Sequence, residues 1–210
     1  MRSLEKSTTP MKQIVFATHN LNKLTEIQPL IPGGLEVVSL DQIGCVEAIA
    51  ETAKTLEGNA QIKADYIWKY FRQDCFADDT GLEVEALEGA PGVYSARFAG
   101  PEALADANMA KLLKLLQGKA SRKARFRTVI ALILGGHSYQ FEGVVEGKIL
   151  EEPRGEGGFG YDPVFQPDGS ELSFAEMTLE EKNKMSHRAR AIAKLCTFLE
   201  NIIGDESRSD

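Results

Sequence analysis

Two short runs in this chain carry residue types that phosphate and metal chemistry needs. The first, Phe76-Ala77-Asp78-Asp79-Thr80-Gly81, sets adjacent carboxylates at the end of an apolar stretch, with a glycine placed for a turn. In strand geometry neighbouring side chains point to opposite sides, so one of Asp78 and Asp79 faces a given ligand. Carboxylate oxygens suit a hard divalent cation, and Mg2+ commonly takes one or two of them together with substrate phosphates. The second, Gly155-Glu156-Gly157-Gly158-Phe159-Gly160-Tyr161-Asp162, allows close backbone approach to a ligand and offers Phe159 or Tyr161 to stack on a base. It matches G-x-G-x-x-G, but Pro163 and the apolar residues after it read as an extended segment, which excludes the helix of a dinucleotide site. The spacing around Gly143 to Lys148 also excludes a P-loop. Each run has a plainer reading, an acidic turn and a connecting loop.

Two further clusters suit an anion. Thr18-His19-Asn20-Leu21-Asn22-Lys23 falls at a strand-to-helix turn, where unpaired amides and the helix dipole attract phosphate and Lys23 can reach its oxygens. Capping by Asn20, with Lys23 on a solvated face, is the structural alternative. Lys182, Ser186, His187 and Arg188 gather at another helix start, where a charged helix surface is the competing explanation.

The elements that must position these residues follow from periodicity. Lys12 to Thr18 reads as a strand, Asn20 to Leu30 as a helix, Leu35 to Leu40 as a strand, and Asn59 to Phe71 as a helix with Ala60, Ala64, Ile67 and Phe71 in phase. A short buried strand, Asp74 to Ala77, precedes the acidic pair. Pro101 to Gln117 reads as helical, with Pro101 in its first turn and Gly118 ending it. Phe126 to Leu134 and Ser138 to Val145 flank Gly135-Gly136 as a hairpin, with the second strand able to reach Ile149. Thr178 and Glu181 form a capping box, and Ser186 caps a last helix carrying Ile192, Leu195, Leu199 and Ile202. Alternating strands and helices followed by a hairpin predict an α/β fold with a mixed sheet.

With 210 residues the chain fits one domain able to bury a true core. Three widely spaced cysteines, Cys45, Cys75 and Cys196, fit reduced core thiols of a cytoplasmic protein, and no zinc spacing is present. The formal charge of -7 argues against a nucleic-acid polymer as partner, and the polar start and short apolar runs against a membrane partner. Residues 1-10 read as a loosely ordered extension, 11-203 as a single domain and 204-210 as a polar tail.

Together these segments resemble the purine nucleoside triphosphate pyrophosphatases that act on inosine and xanthosine triphosphates. Thr18, Asn20 and Lys23 match that family's T-x-N-x-x-K, Ala77 to Leu82 its A-D-D-[ST]-G-L, Gly89 to Arg97 its G-A-P-G-x-Y-S-A-R, Gly158 to Pro163 its G-F-G-Y-D-P, and Ser186 to Arg188 its S-H-R. The resemblance implies an elongated, two-lobed mixed α/β fold with the active-site cleft between the lobes, a homodimer, Mg2+ dependence, and hydrolysis of ITP, dITP and XTP to monophosphate and pyrophosphate. By matching position, Asp79 is the catalytic acid-base residue and a metal ligand. Thr18, His19, Asn20, Leu21, Asn22 and Lys23 hold the triphosphate with Thr80 nearby; Phe159, Gly160, Tyr161 and Asp162 contact the nucleoside; Lys182, His187 and Arg188 complete the base and phosphate contacts. Where many members carry adjacent acids, this chain has Ala50-Glu51, leaving Glu51 as the second metal candidate. A general nucleotide phosphatase releasing orthophosphate and a non-catalytic nucleotide-binding protein are the competing functions.

Overall fold

The computed structural model describes residues 12–102 and 104–206. The expected extension, 1-10, lies outside them. Strands β1 (Lys12–Phe16), β2 (Leu35–Val38), β3 (Cys75–Val84), β4 (Pro91–Gly92), β5 (Lys123–Leu134), β6 (His137–Ile149) and β7 (Phe165–Pro167) form one sheet in the order β2-β1-β3-β5-β6-β7, with β4 paired to β3. β2, β1 and β3 are parallel; β3, β5, β6 and β7 pair antiparallel, so the sheet is mixed as expected. The helices are α1 (Leu21–Ile27), α2 (Leu56–Phe71), α3 (Ala105–Leu115), α4 (Leu179–Asn183) and α5 (His187–Glu206).

Alternation along the strands decides what each helix covers. Val15, Cys75, Ala77, Ala131 and Ile133 pack with Ala60, Ala64 and Ile67 of α2, whereas Ile14, Phe16, Phe76, Ile130 and Leu132 pack with Ile192, Leu195 and Leu199 of α5. This half of the sheet is buried on both faces, which is why its strands read as nearly continuous apolar runs. A third cluster joins Leu82, Val84, Phe126, Val145 and Ile149, on the far ends of β3, β5 and β6, to Leu112 and Leu116 near α3 and to Phe165 and Phe174. The three long strands therefore run through both halves, and the middle of β3 lies at their junction.

There the structure corrects the sequence reading. Asp78 and Asp79 do not close a short strand. They sit inside β3, with Asp78 opposite Ile130, Asp79 opposite Val129 and pairing continuing through Gly81. Gly81 makes no turn; a Cβ on it would lie 2.7 Å from the Gly92 carbonyl oxygen, so its missing side chain lets β4 approach. Pro101 also lies outside the helix it was expected to open, because α3 starts at Ala105 with Leu104 at its N-cap. The Gly135-Gly136 turn is as expected, both residues having positive φ, 56° and 82°.

α5 runs to Glu206, two residues beyond the expected start of the polar tail at Gly204. Ser186 Oγ accepts the Ala189 amide at 3.2 Å and so caps this helix. Gly143 lets α5 lie close on β6, since a Cβ there would collide with the His187 carbonyl. Arg190 and Lys194 donate to the carbonyls of Val144 and Glu142 at 2.6 and 2.7 Å, satisfying acceptors along β6 that would otherwise invite another strand. No helix among the described residues is long and apolar enough to cross a membrane.

Candidate active site

A cavity of about 570 Å³ opens where the two halves meet, within the range of small-molecule sites. Of the residues singled out by sequence, Thr18, His19, Asn20, Asn22, Lys23, Glu51, Asp79, Thr80, Phe159, Gly160, Tyr161, Asp162, Lys182, His187 and Arg188 all line it. Leu21 does not. It is 70% exposed at the start of α1 and takes no part in the cavity wall. Asp78 is not part of the lining; it is buried behind Lys23 and Arg188, which are.

The turn before α1 spends several of its amides locally. Asn20 Oδ1 accepts the amides of Asn22 and Lys23 at 3.0 and 3.3 Å, and Thr18 Oγ1 accepts that of Asn20 at 3.1 Å. These three amides are held by neighbouring side chains, so Asn20 caps the helix as the structural alternative has it. Lys23 leaves the helix surface, and its ammonium donates to Asp78 Oδ1 at 2.6 Å. Burial would raise the Asp78 carboxyl, but the cations Lys23 and Arg188, with Lys63 beyond them, outweigh it and hold Asp78 well below the usual carboxylate range.

Asp79 points the other way, into the cavity. Its Oδ2 accepts from Asn59 Nδ2 at 3.1 Å and its Oδ1 from the Thr80 amide at 3.1 Å. Lys63 Nζ stands 2.7 Å from Glu51 Oε1 and 3.7 Å from Asp79 Oδ1, an ammonium lying between two carboxylates. Burial raises the Asp79 carboxyl, Lys63 pulls against that, and Glu51 adds to the rise. Sequence reasoning missed Asn59 and Lys63, yet a signal existed: both fall in phase with the apolar stripe of α2 at Ala60, Ala64 and Ile67. A polar pair on a core stripe marks the end of the helix that meets a site.

The opposite wall is built from buried ions. Lys182 donates to Glu26 Oε1 at 2.5 Å and to Asp162 Oδ2 at 2.6 Å, and Arg188 pairs with Glu26 Oε2 while its Nε donates to Asp78 Oδ2 at 3.2 Å. Asp162 also accepts the Phe159 amide at 2.8 Å, pinning the glycine-rich loop. Lys182 and Arg188 are thus not a solvated helix surface; they are 4% and 2% exposed. Glu26 carried no signal, being a lone acid on a short helix of mixed character. Between the two aromatics, geometry favours Phe159 as the stacking platform. Tyr161 is buried in the core with its hydroxyl donating to the Ser95 carbonyl at 2.9 Å, whereas Phe159 has the Lys182 ammonium 5.2 Å and the Arg188 guanidinium 5.6 Å from its ring.

His187 stacks on Phe126 with ring centroids 4.6 Å apart, and its Nδ1 is buried without a hydrogen-bond partner. Burial, then Arg188 and Lys182, push it well below the ordinary imidazole value, so the ring is neutral. The unfolded chain takes up a proton near pH 6.5 that the folded chain refuses. His187 therefore costs stability as pH falls below that value, by up to about 1.4 kcal/mol per unit until the folded value is reached. The expected result is a wild-type unfolding midpoint in urea that drops between pH 7.5 and 5 more steeply than that of His187→Phe; parallel slopes would remove this assignment.

Among the described residues no group of three or more His, Cys, Asp or Glu is arranged to hold a metal ion. Glu51 and Asp79 supply two carboxylates, the number that Mg2+ commonly takes together with water and substrate phosphates, and the Lys63 ammonium stands between them.

The Ham1 family profile matches residues 14–198. The chain belongs to the Ham1 family. Within that family it is 57% identical over 190 residues to a dITP/XTP pyrophosphatase of Porphyromonas gingivalis, covering 90% of this chain and 98% of the relative. A HAM1 protein from Coxiella burnetii has the same fold, with TM-score 0.84 and 38% identity over 91% of this chain and 100% of that one. A Mycobacterium abscessus structure described as a nucleoside-triphosphatase / dITP/XTP pyrophosphatase aligns with TM-score 0.72 at 41% identity, covering 87% of this chain and 98% of that chain. The match to the Ham1 family spans every cavity-lining segment named above.

Proposed function

We propose that this chain hydrolyses deaminated purine nucleoside triphosphates, ITP, dITP and XTP, to the monophosphate and pyrophosphate, with Mg2+ as cofactor. What carries the reading is the convergence of Asp79 and Lys23, far apart in sequence, on one cavity. Such relatives as the Porphyromonas gingivalis enzyme support the same substrate class.

On this reading the triphosphate lies against Thr18 to Lys23, excluding Leu21, with Thr80 and Lys63 beside it. The cations on that wall draw in and orient the anion. Asp79, held by Asn59 and Thr80 and raised by burial, accepts the proton of a water that attacks the α-phosphorus. Glu51 and Asp79 would hold Mg2+, which when bound would supply neutralisation of phosphate charge. The base stacks on Phe159 beside the Lys182–Arg188 wall, where donors fit a 6-oxo group and an adenine amino group leaves them unpaired. Single-domain organisation over residues 11-203, a homodimer, and a cytoplasmic setting suited to three unpaired buried cysteines complete the proposal.

Purified protein with Mg2+ is expected to release equimolar pyrophosphate and monophosphate from dITP and XTP, and to turn over dATP up to about 10^4-fold less efficiently. Stepwise orthophosphate release, or binding without turnover, would replace this reading with one of its competitors.

A further inference from the structure

We propose that Asp78, which the cavity does not expose, is a positioning residue that makes phosphate binding at Lys23 depend on the base seated at Arg188. The inference rests on the pyrophosphatase reading above and concerns how that site discriminates between bases.

Asp78 is 2% exposed, and its two oxygens serve two different cavity residues. Oδ1 accepts from Lys23 at 2.6 Å, and Oδ2 accepts from Arg188 Nε at 3.2 Å. Thr80 braces the same node. Its hydroxyl lies 3.4 Å from Asp78 Oδ2, accepts from Arg188 Nη2 at 3.2 Å, and shares a 2.7 Å hydrogen bond with Thr128 on β5. The Asp78 backbone is fixed in the middle of β3, opposite Ile130, so the carboxylate cannot follow one cation without releasing the other.

Beyond Arg188 the charges continue to alternate. Glu26 joins Arg188 to Lys182, and Lys182 joins Asp162, whose oxygen holds the Phe159 amide. A continuous chain of ions therefore connects the glycine-rich loop with the lysine of the first turn. Each link is buried, where rearrangement leaves a charge without its partner. A base that pairs with Lys182 and Arg188 as they stand leaves Lys23 aimed at the phosphates. A base that displaces Arg188 draws on the shared Asp78 carboxylate, and Lys23 loses its aim. Asp78 thus adds to discrimination without touching the nucleotide.

The measurement is the ratio of kcat/KM for dITP to that for dATP, both taken on one preparation so that a smaller folded fraction cancels. Asp78→Asn is expected to lower that ratio about 10-fold, within the range of coupling between residues in one charge network. Asp78→Glu, which keeps the charge but displaces it, protects the test against misfolding and is expected to lower the ratio by a smaller factor. Lys23→Met is expected to lower it as Asp78→Asn does, and the double variant no further, because both remove the same link. A ratio that stays at the wild-type value in both Asp78 variants, or losses that add in the double variant, overturns the proposal. Failure of the pyrophosphatase reading is a separate result, recognised by wild-type protein that releases no pyrophosphate from dITP.

Discussion

Asp79→Asn is expected to reduce kcat/KM for pyrophosphate release from dITP by about 10²- to 10⁴-fold with the fold retained, the usual span for removing a general base. The substitution is nearly isosteric. An amide oxygen still accepts the Thr80 amide that now bonds Oδ1 at 3.1 Å, so β3 keeps its pairing with β5. What disappears is the charge, together with the acceptor for Asn59 Nδ2, which now bonds Oδ2 at 3.1 Å. Asparagine cannot take a proton from water and is a poorer ligand for a divalent cation, so affinity for Mg2+ should fall with the rate. Raising Mg2+ is then expected to restore only part of the activity, because it cannot replace the proton acceptor. Circular dichroism and thermal melting check the fold, and a coupled pyrophosphate assay across a Mg2+ series checks the rate. A variant within twofold of wild type would remove Asp79 from the chemistry and with it the proposed mechanism.

The largest stability effect is expected at Glu26→Gln. Glu26 is 6% exposed and serves two buried cations, Lys182 on one oxygen and Arg188 on the other. Along the wall, Lys23, Arg188 and Lys182 are matched by Asp78, Glu26 and Asp162, so the buried charges balance. Glutamine keeps the shape but presents an amide nitrogen to a cation that needs an acceptor, and it leaves one positive charge uncompensated. Breaking a buried ion pair by removing one partner typically costs about 3–5 kcal/mol. Urea unfolding at neutral pH should show that loss as a lower midpoint with a similar slope; a change below about 1 kcal/mol would mean that the wall tolerates the imbalance through water or a side-chain shift.

Much of this site was legible in the chain itself, because local chemistry leaves local marks. The capping box at Thr178, the Gly135-Gly136 turn and the Ser186 cap depend on residues a few positions apart, and all three stand in the structure as read. The boundaries that failed were tertiary. β3 runs past its acidic pair because β5 supplies ten consecutive partners for it, and a strand that gains pairing overrides a glycine that locally favours a turn. α3 begins late because Pro101 and Glu102 lie in a turn.

The side chains missed share one cause. Lys63 and Asn59 showed only as polar residues in phase with the apolar stripe of α2 and Glu26 gave no pattern at all, since a charge's burial depends on partners remote in sequence; Lys182 lies 156 residues from Glu26. The sequence alone determined which residue types are present, that β3 must send Asp78 and Asp79 to opposite sides, and, through five ordered motifs, the Ham1 family relationship. Only the tertiary structure decided that Asp79 faces the cavity while Asp78 stands behind it, and that Lys23, Arg188 and Lys182 are held by buried carboxylates. Backbone periodicity acts between neighbours, but electrostatic pairing acts through space, and the sheet with its two flanking helices brings those charges within reach of each other.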